Sequence, residues 1–117
     1  MAIYVKTSDP KQLLEDIKKN ISDGKIKTWS CDADGDFTYE AEQWHCRAWM
    51  RPFTSQSGEI IFGILCRKDR NISVTDYAVF HGRFVEMLLV HFDRQCEDII
   101  STSKVTKYDK VKASNPQ

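Results

Sequence analysis

The sequence has no net charge, no closely paired cysteines and no long hydrophobic run, and each lack removes a class of function. Seventeen basic side chains are matched by seventeen acidic ones. No global field therefore draws the chain to nucleic acid, a membrane surface or an acidic substrate, and such binding would need a local patch. The four cysteines, Cys31, Cys46, Cys66 and Cys96, stand 15, 20 and 30 residues apart with no Cys-x-x-Cys pair. That spacing argues against a zinc site and a disulfide framework, and leaves small, reduced, buried thiols. The start, MAIYVKTSDPK, has no apolar run behind a basic stretch and is not read as a secretory signal. No apolar run approaches bilayer length. The expectation is a soluble, cytoplasmic protein that needs no cofactor and spans no membrane.

Catalytic signatures are missing as well. There is no Gly-x-Ser-x-Gly elbow, no His-Glu-x-x-His, and no phosphate- or dinucleotide-binding glycine set. His45 and Cys46 are adjacent, and on a strand they would point to opposite sides, which rules out a dyad between them. Enzyme activity is not expected.

What is present is the pattern of one small domain. A chain of 117 residues buries about two-thirds of its unfolded surface, enough for a core without staples. The expected domain is 1–103, followed by a polar, lysine-rich tail, 104–117. Residues 2–6 read as a strand. Asp9, Pro10 and Gln12 read as a capping box opening a helix, whose Leu13, Leu14, Ile17 and Ile21 share a stripe about 100° wide. Asp23-Gly24 ends it.

From Ile26 to Lys68 the period changes to two, predicting four strands in an antiparallel meander. Ser73 and Asp76 read as a second capping box, on a helix that could run to about Ile100. Its apolar arc, from Met87 round to Leu89, is about 220° wide, so it needs more than one partner surface. His81 and His91 fall inside the arc but are about 15 Å apart along the axis, too far to share a metal. The predicted fold is α+β, of order β-α-β-β-β-β-α, with two layers and both helices on one face of the sheet.

Asp32, Asp34 and Asp36 surround Gly35 in TWSCDADGDFTYE and are the candidate metal or acid–base residues. As an EF-hand the stretch fails, because the glycine comes early and Gln43 stands where a bidentate glutamate is required. A three-residue hairpin loop, Ala33-Asp34-Gly35, accounts for it better. It pairs Cys31 with Phe37 and Trp29 with Tyr39, keeping the apolar side chains together, with Gly35 in the left-handed position. Asp32 then faces Asp36, which is unfavourable by several tenths of a kcal/mol.

On the next strand His45, Arg47, Trp49 and Arg51 share the face opposite the core, and Ile61 and Leu65 of the following strand join them. Glu40 and Glu42 are the expected partners of His45 and Arg47. An apolar centre ringed by charge has the look of a protein interface. The expected function is a small interaction module, homodimeric or binding a protein partner through this face. Binding of nucleic acid or an anion by Arg47, Trp49 and Arg51, with Arg67, Lys68 and the lysine tail, is the first alternative. A metal- or carboxylate-dependent enzyme at Asp32, Asp34 and Asp36 is the second.

Overall fold

A computed structural model describes residues 1–41, 43–67 and 71–111. Among these residues the chain forms β1 (Ile3–Lys6), α1 (Pro10–Ser22), β2 (Trp29–Cys31), β3 (Phe37–Tyr39), β4 (Ala48–Phe53), β5 (Glu59–Cys66), α2 (Val74–Phe92) and β6 (Asp98–Ser101). The strands make one antiparallel sheet in the order β2-β3-β4-β5-β1-β6. The α+β class and the succession β-α-β-β-β-β-α are as the sequence predicts, and β6 is an addition to them.

Local chemistry explains the helix starts. The Asp9 carboxylate accepts from the Gln12 amide at 3.1 Å, and Pro10 occupies the first turn, where its missing N–H costs nothing. The return arm of that box is absent, because the Gln12 side chain donates instead to Asp16 at 2.9 Å. At α2 both arms form. Ser73 Oγ accepts from Asp76 N at 3.0 Å, and Asp76 accepts from Ser73 N at 3.3 Å.

α2 does not reach Ile100. It stops at Phe92, passes through a short 3-10 turn at Asp93–Gln95, and gives way to β6. The unpaired edge of β1 is the reason. Lys6 O accepts from Glu97 N at 2.7 Å, and Ile99 and Ile100 then pair with Val5 and Tyr4. An edge that would have left a row of donors and acceptors unmet takes precedence over the last turns of a helix.

Alternation along the strands sorts side chains between two faces. Ile3, Val5, Ala48, Met50, Ile60, Phe62 and Ile64 enter one core cluster, together with Leu13 and Ile17 of α1 and Phe80, Phe84 and Leu88 of α2. Phe84 sits at its centre, with ring centroids 4.5 Å from Phe62 and 5.0 Å from Trp29. The other face carries Tyr4, Arg51, Phe53, Ile61, Gly63 and Leu65. Its centre is covered by the chain's own lysine-rich segment. Lys110 donates to Ile64 O at 2.9 Å, Cys66 N donates to Lys110 O at 3.2 Å, and Tyr108 lays its backbone on Gly63. The first part of the expected tail is thus docked on the sheet.

Candidate functional site

The hairpin forms in the register its apolar residues require. Trp29 pairs with Tyr39 and Cys31 with Phe37, and Gly35 has φ +85°. Carboxylate oxygens of Asp32, Asp34 and Asp36 all lie within 4.8 Å of one another. Local bonds account for two of the three. Asp32 Oδ1 accepts from the amides of Asp34 and Asp36, each at 3.0 Å, which is the usual way an aspartate braces a turn. Asp36, only 4% exposed, accepts two bonds from Arg51, at 2.9 Å from Nε and 2.7 Å from Nη2. The repulsion between Asp32 and Asp36 is thereby offset by a guanidinium from β4. That hydrogen-bonded carboxylate in turn holds the Arg51 pKa above its ordinary range.

The expected line of His45, Arg47, Trp49 and Arg51 on one strand is corrected by the structure. β4 begins at Ala48, and residues 43–47 form turns. His45 and Cys46 therefore do not alternate across a ladder. Trp44 N and His45 N both donate to Ala41 O at 2.9 Å, and Cys46 takes φ +60°. This left-handed residue brings its own thiol back to its neighbour, with Cys46 Sγ 3.2 Å from His45 Nε2. The earlier exclusion of a His45–Cys46 contact assumed strand geometry and fails for that reason. His45 Nδ1 lies 3.1 Å from Glu40 Oε1, the partnership expected from sequence, and Ser30 Oγ donates to Glu40 Oε2. The turn that joins Cys46 to this pair is not flagged in the sequence, because Trp44, Cys46, Ala48 and Met50 continue a perfect strand alternation.

Arg47 finds Asp76 of α2, at 3.4 Å, and Gln43 O at 2.7 Å, with its guanidinium 5.7 Å from the Trp44 ring centre. Glu42 and Lys68 lie outside the described residues, as do residues 112–117. Trp49 and Leu65 are cross-strand partners and half-buried. Ile61 is 1% exposed. Its strand partners Tyr4 and Phe53 both pack on Tyr108, at ring distances of 6.1 and 5.2 Å. Intrachain cover thus reaches Ile61.

Large apolar side chains do remain in water on α2, where Leu89 is 53% exposed and Val90 68%. Ala78 and Gly82 are exposed on the same side of the helix as Leu89, and a methyl group built on Gly82 would touch nothing. A groove of about 490 Å³ flanks them towards Tyr39, Trp44, Val79 and Arg83. A second, of about 420 Å³, lies towards Tyr77, His81, Val85 and the stretch 101–103. His81 is buried, with Nδ1 2.9 Å from Tyr77 O and Nε2 facing Met1 O, while His91 is exposed. Among the described residues no helix is long and apolar enough to cross a membrane. Compared with known proteins, the chain matches no family model, no curated protein and no solved structure.

Proposed function

We propose that the protein is a small cytoplasmic interaction module that works as a homodimer, docking through the outer ridge of α2. The carrying observation is the exposure of Leu89 and Val90 on a helix whose inner side is already sealed in the core. Ala78 and Gly82 would let a second helix approach closely, and the flanking grooves would receive its larger side chains. A patch as long as α2 (about 28 Å) and about two helix diameters wide covers about 600 Å², the lower range for a stable dimer. The balanced charge of the chain means that two copies do not repel. A two-fold axis across this ridge uses the same residues from both subunits, as most small oligomers do. Four free cysteines fit a reducing compartment.

This reading moves the contact from the sheet face, where Ile61 is taken by the chain itself, to the helix. The anion-binding alternative is weakened because Arg47 and Arg51 each serve an internal carboxylate. The metal or carboxylate alternative is weakened because Asp36 belongs to Arg51.

Sedimentation equilibrium separates the surfaces. Wild type should run as a dimer at micromolar concentration, Ala78→Arg as a folded monomer, and Trp49→Glu with Leu65→Glu as a dimer. A monomeric wild type, or a dimer lost only in the sheet-face variant, would overturn the assignment.

A further inference from the structure

A nucleophile, a base and an orienting carboxylate stand in line at the end of β3. Cys46 Sγ is 3.2 Å from His45 Nε2, and His45 Nδ1 is 3.1 Å from Glu40 Oε1. Glu40 is itself fixed by Ser30 of β2. With Nδ1–H donating to the carboxylate, Nε2 presents its lone pair to the thiol and can take its proton. A thiol becomes a nucleophile only as the thiolate, so a positioned imidazole is the feature that separates a reactive cysteine from an inert one. The thiol is also reachable. Cys46 is exposed, whereas Cys31, Cys66 and Cys96 are half-buried. Burial raises the pKa of the Cys31 and Cys96 thiols.

We infer that Cys46 is a reactive thiol that accepts a low-molecular-weight disulfide by thiol–disulfide exchange, with His45 as its base and Glu40 as the residue positioning that base. The step balances without another reagent. The Cys46 thiolate attacks one sulfur of R–S–S–R′, the new Cys46–S–S–R bond forms as the old S–S bond breaks, and R′–S⁻ leaves. The proton from Cys46 passes through His45 Nε2 to the departing thiolate. Cys46 and one R group share the oxidation that the small disulfide brought, and R′–SH is the reduced product. No second cysteine lies in the same turn, so the mixed disulfide persists until an external thiol removes it. Among the described residues, the charged groups around the pair include Glu40 after β3, Arg47 in the same turn and, beyond Arg47, Asp76 at the start of α2.

The test uses the full chain and an aromatic disulfide that releases a coloured thiolate, followed by oxidised glutathione with mass detection. One thiol should react ahead of the rest, and Cys46→Ser should abolish that phase. Its rate at neutral pH should exceed that of the same thiol in the urea-unfolded chain. His45→Gln should slow the phase about tenfold at neutral pH. Glu40→Gln should give a smaller slowing in the same direction, in a protein that melts as wild type does. Both altered side chains are at least partly in solvent, and far-ultraviolet circular dichroism checks that each variant is folded. Should Cys46 react in wild type no faster than in the urea-unfolded chain, the inference is overturned. A rate unchanged by His45→Gln, in a folded variant, overturns it equally.

Discussion

His81 shows how burial sets the behaviour of a single side chain. Two carbonyl oxygens would favour its charged form, yet burial outweighs them and holds its pKa below the ordinary 6.5. Burial likewise lowers the Met1 amino group below 8.0, in spite of Asp109 Oδ2 at 3.4 Å. Each group binds its proton more readily in the unfolded chain, so the two shifts act with one sign. Their stabilising effect is complete above the unfolded value and is lost as pH falls through it towards the folded one. The melting temperature should therefore fall as pH drops from about 8 to about 5, and His81→Gln should flatten the part of that slope below about 6.5. A melting temperature that holds or rises over the interval would contradict this. Residues differ in how far their sequence reveals them. Gly35 was legible because burial of Trp29, Phe37 and Tyr39 on one face permits a single register. Cys46 was not, because a cysteine at positive φ leaves no mark in the sequence and the surrounding alternation argues for a strand.

Elements declare themselves by period and fail where a partner decides. Both helix starts and the hairpin follow from local chemistry, and β5 follows from apolar residues on both of its faces. β6 and the docked 106–110 segment were hidden because non-local pairing supports them. Ile99 and Ile100 fit a helix as well as a strand until β1 offers its edge. KVTKYDK reads as solvated until Asp109 is seen accepting from Ile64 N at 2.9 Å and Thr106 N at 2.7 Å. Gly63 is the position on which this docking turns, since a Cβ there would lie 2.0 Å from Tyr108 O. Gly63→Ala should cost about 1–3 kcal/mol in urea unfolding, as overpacking does. The same variant should speed hydrogen exchange at the Lys110 amide. An alanine variant as stable as wild type would mean that the segment does not rest on the sheet. The burial of Ile61 beneath it is the larger stake, of the order of 1.5–3 kcal/mol for an aliphatic side chain of that size.

At the scale of the molecule, one sheet face holds the core, the other is partly sealed by residues 106–110, and α2 presents its far side to water. That arrangement accounts for the wide apolar arc of α2. Phe80, Phe84 and Leu88 fill the core, while Leu89, at the edge of the arc, is left in water. Sequence patterning revealed the excess of apolar surface but not which of two surfaces the fold itself would use, since that choice depends on where residues 106–110 settle. The central claim is that a second copy covers the α2 ridge, and disulfide trapping at its midpoint tests this most directly. In a Cys46→Ser background, Gly82→Cys should convert to a covalent dimer within minutes of mild oxidation, while Glu97→Cys, away from the ridge, should stay monomeric. Cross-linking at position 82 no faster than at position 97 would contradict the account.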